Sequence, residues 1–260
     1  MFFFNQFMKI KSLLIVAFTA IFFSSFAQDP KEGYAIGKKI LNLINQNKAT
    51  ELAEMVNYPL QRLSPVPDIK NEKEFVAYFP ILFDAKFKKL IPKFSQKEVM
   101  ARNGMFGMVG EVFNGEIWYD ESGIYTVNYN SDKEMALEKA LNDKTKTIIH
   151  PSLRDFETNI LMLKSKNLEL RIDYTKDGKC RYASWSKGKA ISQKPDLILV
   201  GAQEISDGHP PYPFYVFKNK NWKYTVTEEF ECEDCDMLDR MLILEENGVQ
   251  KSRILMRISK

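Results

Sequence analysis

From Asp29 onward the apolar positions of the chain change period once, from about 3.6 to 2. Asp29 offers an N-cap acceptor and Pro30 fills a first turn whose N–H is not needed; Ile36, Ile40, Leu43 and Ile44 follow at helical spacing. Thr50 predicts the start of a short second helix carrying Leu52, Met55 and Val56, which must end near Tyr58 because the residue before Pro59 disfavours helix. Asn71 with Glu74 reads as a capping box ahead of "FVAYFPILFDAKFKKLI", where Phe75, Phe79, Leu82 and Leu90 form an apolar stripe and Pro80 predicts a kink. Ser95 and Glu98 predict one more short helix, ending near Asn103-Gly104.

The next stretch, "GMFGMVGEVFNGEIWYDESGIYTVNYN", predicts a three-strand meander that turns at Asn114-Gly115 and again at Glu121 to Gly123, because Asn and Gly tolerate positive φ. Alternation sends Glu116 and Trp118 to one face and Ile117 and Tyr119 to the other, and Trp118 is expected to seat its ring against the helices. Ser131 and Glu134 cap a charged helix that reaches towards His150-Pro151 and reads as a connector. Beyond it the pattern is nearly all strand. "LELRIDY" sets Leu168, Leu170, Ile172 and Tyr174 against Glu169, Arg171 and Asp173, and Asp177-Gly178 turns it back into "CRYASW". With "NILML", "DLILV", the "PFYVF"/"WKYTVT" hairpin and the "RMLILEENGVQKSRILMRI" hairpin, eight strands are expected, enough for a small antiparallel barrel or sandwich. The predicted fold class is therefore α+β: N-terminal helices on a curled antiparallel sheet (28–130), a connector (131–158) and an all-β barrel or sandwich (159–260).

The N-terminal residues change the picture of compartment. Lys9 and Lys11 precede the apolar run Leu13–Phe23, and Ser25 and Ala27 stand where a signal peptidase reads small residues, so residues 1–27 are expected to be a cleaved secretory signal. The run is about half the ~20 residues a membrane-spanning helix needs, so no stable membrane insertion is expected after cleavage. No cysteine follows it directly, so no lipid attachment is expected, and Met8 is the expected true start. Removing residues 1–27 takes away two lysines and no acid, which lowers the net charge from +3 to +1 over the remaining 233 residues. That near-neutral surface gives no electrostatic case for nucleic acid.

The strand text carries a resemblance. "YPL" (Tyr58 to Leu60), "EFVAYFPILFD" and "NGEIWYDESGIYTVN" resemble the N-terminal module of secreted bacterial proteins of cone-shaped α+β type, shared by cystatin-like and nuclear-transport-factor-like folds. The resemblance covers about residues 30 to 130 and implies a fold, not a chemistry. Within the second half, "RYASWSKGKA" is similar to the tyrosine, then tryptophan-x-lysine-glycine, pattern of periplasmic lysozyme inhibitors, themselves eight-stranded barrels. That similarity implies Tyr182, Trp185, Lys187 and Gly188 as inhibitory-loop residues; the other reading makes them ordinary barrel and turn residues. His209, in the aromatic, turn-rich "HPPYPFY", joins them as a candidate binding residue.

Catalytic and metal motifs are missing from the sequence. Only His150 and His209 are present, each followed by proline, and no G-x-S-x-G, H-E-x-x-H or glycine-rich phosphate loop occurs; neither catalytic nor metal-ligating residues nor a cofactor are expected. In "ECEDCD", Cys232 and Cys235 stand among Glu231, Glu233, Asp234 and Asp236, carboxylates that disfavour the thiolate a redox couple or a zinc site needs. In an oxidising compartment the expected outcome is a disulfide, pairing Cys232 with Cys235 or either of them with Cys180. Two functions of different class follow. The first is a non-enzymatic periplasmic or secreted binding protein, an inhibitor or immunity-type partner of another cell-envelope protein. The second is a small-molecule hydrolase or isomerase with a pocket in the first unit.

Overall fold

The structure is a computed structural model and describes residues 29–205, 213–227 and 239–259; the proposed signal segment, His209, Cys232 and Cys235 lie outside the described residues. Five helices, α1 (Pro30–Asn45), α2 (Ala49–Ala53), α3 (Glu72–Leu82), α4 (Ala85–Lys88) and α5 (Asp132–Ile148), accompany two antiparallel sheets. The first contains β1 (Val99–Arg102), β2 (Met105–Val109), β3 (Asn114–Asp120) and β4 (Gly123–Val127) in that spatial order. The second is a closed eight-stranded barrel of β5 (Phe156–Lys164), β6 (Leu168–Thr175), β7 (Cys180–Ser186), β8 (Leu197–Ile205), β9 (Pro213–Asn219), β10 (Trp222–Thr227), β11 (Asp239–Glu246) and β12 (Val249–Ile258). Each barrel strand pairs with its neighbours in sequence, and β12 returns to β5 through Arg257↔Lys164 and Ile258↔Leu163. The α+β class is as the sequence predicts, and closure decides the open alternative in favour of a barrel.

In the first unit α1 begins as its cap signal requires, with the Asp29 side chain accepting from the Lys31 N–H at 2.9 Å. Two glycines on its buried face bring it hard against the sheet. A Cβ at Gly33 would sit 2.4 Å from the Phe106 ring, and Tyr119 Oη donates to the Gly33 carbonyl at 2.8 Å. Behind α1, Phe75, Phe79, Phe83, Phe87 and Phe113 run as a continuous aromatic stack with successive ring centroids 5.1 to 6.4 Å apart. These rings belong to the buried core of this unit.

Several local expectations need correction. Pro80 lies inside α3, and the apolar stripe read as one helix is split after Phe83: the Asp84 carboxylate accepts from the Phe87 N–H at 2.9 Å and starts α4 afresh. Ser95 makes no side-chain cap, and the residues after it form a single 3₁₀ turn leading into β1, so the sheet has four strands where three are expected. Glu98, expected in the capping box, turns away to accept the N–H groups of Glu111, Val112 and Phe113 at 3.0 to 3.2 Å. It therefore organises the Gly110–Phe113 loop as the β2–β3 turn, and Asn114-Gly115 lies inside β3. Trp118 takes the outer face, because Ile117 and Tyr119 are the pair buried under the helices.

The barrel interior follows the alternation of the sequence, with Leu170, Ile172, Tyr182, Phe217, Val226, Leu242 and Met256 packed together. The outer row of β6 is not solvated, however. Arg171 and Asp173 are each 1% exposed, because the chain from α5 to β5 lies over them. Arg171 Nε donates to Asp173 at 2.6 Å, Arg181 Nε donates to the other Asp173 oxygen at 2.9 Å, and the Arg171 guanidinium stacks 4.2 Å from the centre of the Phe156 ring. Ile149, Leu153, Phe156, Ala183 and Trp185 make a small apolar cluster in the same layer. The connector is thus seated on the barrel wall at its end, while its first turn is held by the first unit.

Candidate functional site

That first-turn contact borders a hollow in the first unit. Arg62 reaches from the segment after α2 to Glu134 in α5, donating from Nε at 2.6 Å and from Nη2 at 2.5 Å, and also donates to the carbonyls of Val127 and Tyr129. Tyr78 Oη lies 3.4 Å from the same carboxylate; burial first, then the Glu134 charge, push its hydroxyl up to about 12. Both charged side chains are almost wholly buried, so the pair serves as a clasp.

Beside the clasp a groove of about 610 Å³ runs between Pro59–Leu63 and the outer side of β4, with Met105 of β2 also lining it. Its shape depends on a register fault. Trp118 pairs with Thr126 but Tyr119 pairs with Ile124, so Tyr125 is an extra residue in β4. Such a bulge re-aims side chains. Here Tyr125 and Thr126 both leave the core side, between the buried Ile124 and Val127. The Tyr125 hydroxyl donates to Asp120 at 3.0 Å and meets Ser122 Oγ at 2.7 Å, which fixes the ring. Burial by itself would raise the Asp120 carboxyl, but hydrogen bonds from Ser122, Tyr125 and Gly123 outweigh it and hold the group below the usual carboxylate range.

Trp118, directly across from Thr126, lies on Gly107 of β2; a Cβ there would come within 3.0 Å of the indole ring. A second register fault, between Gly107↔Trp118 and Val109↔Asn114, flanks it on the other side. Asn128 donates to the Gly115 carbonyl at 2.8 Å, and Gln61 is exposed at the opposite wall. The groove thus combines the Tyr125 ring and several aliphatic side chains with two carboxamides and a hydroxyl, and its one charged lining residue, Arg62, is matched by Glu134.

The second hollow, about 490 Å³, is lined by Asp84 and Asp132 together with Lys86, Lys88 and Lys133 over Phe79 and Phe83. Its acids are committed: Asp84 caps α4 and accepts from Tyr129 Oη at 2.8 Å, and Asp132 pairs with Lys86 at 2.6 Å. Among the described residues no group of three or more His, Cys, Asp or Glu stands close enough to hold a metal ion.

The residues singled out in the barrel are not brought together. Tyr182 points into the barrel against Phe217 and Tyr224, whereas Trp185 is buried on the outer wall, its Nε1 donating to the Gln193 carbonyl at 2.9 Å. Only Lys187 and Gly188 are exposed, in the turn after β7, where Gly188 has φ +88°. Cys180 is a free thiol inside the barrel, and burial, with the Asp173 charge adding to it, pushes it up to about 11. His150 closes its own turn, Nδ1 to Ser152 Oγ at 2.9 Å. Sequence reasoning passed over Arg62, Tyr125 and Gly107; the glycine opposite a tryptophan was the one signal in the text that pointed to this face.

Fold and groove together define a two-part α+β protein, a helix-backed sheet joined to a closed meander barrel. No protein-family model matches the chain, and no curated protein and no solved structure matches it.

Proposed function

We propose that the protein is a non-enzymatic binding protein that works outside the cytoplasm after loss of residues 1–27, with another protein of the cell envelope as its partner. One observation carries this reading: the carboxylates bordering the hollows are already spent on structure. Asp84 and Asp120 cap turns, Asp132 answers Lys86, and Glu134 answers Arg62, so among the described residues each of these carboxylates is already committed to a structural partner. The face best suited to a protein partner is the barrel wall at β8, where Ile198 and Val200 stand exposed.

The test is capture of an envelope protein on immobilised residues 28–260, compared with the Ile198→Asp/Val200→Asp variant. A discrete partner held by the first and lost by the second supports the reading. Equal capture by both removes β8 from it. A hydrolase or isomerase activity that purifies with the chain replaces the reading altogether.

A further inference from the structure

We propose that the groove beside β4 is a binding site for a neutral saccharide of one to a few pyranose rings, a site separate from the protein-facing barrel wall. The argument begins with charge. Apart from Arg62, every residue lining the groove is neutral, and Arg62 is already neutralised by Glu134 and donates to two main-chain carbonyls. An ionic ligand would give up hydration there with no opposite charge to receive it. A purely apolar ligand would fit the Tyr125 ring and its aliphatic neighbours and leave the Gln61, Asn128 and Thr126 groups without polar partners. A pyranose satisfies both halves: its C–H face stacks on an aromatic ring, and its hydroxyl edge exchanges hydrogen bonds with carboxamides.

The geometry adds pre-organisation. Tyr125 is turned outward by the bulge and its hydroxyl is held by Asp120 and Ser122, so the ring is fixed before any ligand arrives. Trp118, which lies over Gly107 and pairs with Thr126, is only partly buried and stands on the same strand pair, outside the groove lining. Covering a strand glycine explains the Trp118 contact with Gly107; it does not explain why Tyr125 is thrown to the same face and locked. The Asn128 amide nitrogen is spent on the Gly115 carbonyl, which leaves its oxygen as an acceptor towards the groove. A volume of about 610 Å³ falls within the ~300–1,000 Å³ typical of small-ligand sites.

The experiment uses residues 28–260 and isothermal titration with uncharged trisaccharides (chitotriose, cellotriose, maltotriose), a trigalacturonate as anionic control, and a set of unstructured peptides. The expected result is saturable binding of at least one neutral sugar and none of trigalacturonate. Tyr125→Ala should weaken that binding by roughly tenfold or more, while Tyr125→Phe, which keeps the ring, should cost only a few fold. Gln61→Ala tests the carboxamide wall without touching the core and should also weaken it. The Ile198→Asp/Val200→Asp variant should bind the sugar as the parent does, which separates this proposal from the protein-partner reading. Failure of every neutral sugar overturns the proposal, as does sugar binding that survives Tyr125→Ala. Peptide binding lost on Tyr125→Ala, without sugar binding, also overturns it and makes the groove a protein-docking site.

Discussion

Replacing Glu134 with Ala should be among the costliest single changes in the chain. The substitution leaves the Arg62 guanidinium, whose side chain is 4% exposed, without the carboxylate that takes two of its N–H groups. Breaking a buried ion pair from one side typically costs about 3–5 kcal/mol, because the surviving charge stays desolvated. The two carbonyls that Arg62 also serves, Val127 and Tyr129, can soften the loss but cannot neutralise the charge. Replacing both partners, as Arg62→Met with Glu134→Leu, should therefore be less damaging than the sum of the single changes, while remaining below the parent because those two carbonyls lose their donor. Urea unfolding followed by far-ultraviolet circular dichroism gives the four free energies of the cycle. A loss below about 1 kcal/mol for Glu134→Ala, or a double variant equal to the sum of the singles, would refute the reasoning that this pair is a buried clasp.

Three further outcomes are expected. Trp118→Ala should cost only about 1–2 kcal/mol, the loss of a half-buried ring, and a loss above about 4 kcal/mol in the same urea assay would place the ring in the core. Cys180 should resist alkylation at neutral pH until the barrel unfolds; because its folded value is raised from 9.0 to about 11, the stability it is linked to is intact below pH 9 and is lost as the pH climbs towards 11. Rapid native-state labelling at pH 7 would contradict both statements. Protein recovered from an oxidising compartment should carry one disulfide, Cys232 to Cys235, beside the free Cys180 thiol, and a non-reduced peptide map with all three thiols free would remove the staple.

Elements whose partners are local were legible in the sequence. Asp29 and Asn71 cap the helices they precede, and the inward row of β6 follows directly from the spacing of Leu168, Leu170 and Ile172. What misled were residues whose partners lie far away. Asn114-Gly115 has the chemistry of a hairpin turn, but Glu98, fifteen positions before Phe113, supplies three acceptor contacts that move the turn to Gly110–Phe113. Arg171 and Asp173 read as a solvated face because nothing in "LELRIDY" announces that the α5–β5 chain will cover it. The groove was hidden for a related reason: a bulge at Tyr125 breaks the period of 2 by one residue, and a strict alternation reading places Thr126 on the wrong side.

Closure of the barrel has a consequence for how the protein meets copies of itself. All eight barrel strands have both neighbours, and the outer side of β4 is bridged through Val56↔Ile124. Among the described strands, β1 alone ends a sheet without a strand or bridge beside it, and it is four residues long, roughly 13 Å at the usual rise per residue. So short an edge, ending in Arg102, offers little template for the strand-to-strand stacking that drives fibrils. Within the barrel, a new edge can appear only after two of its strands separate.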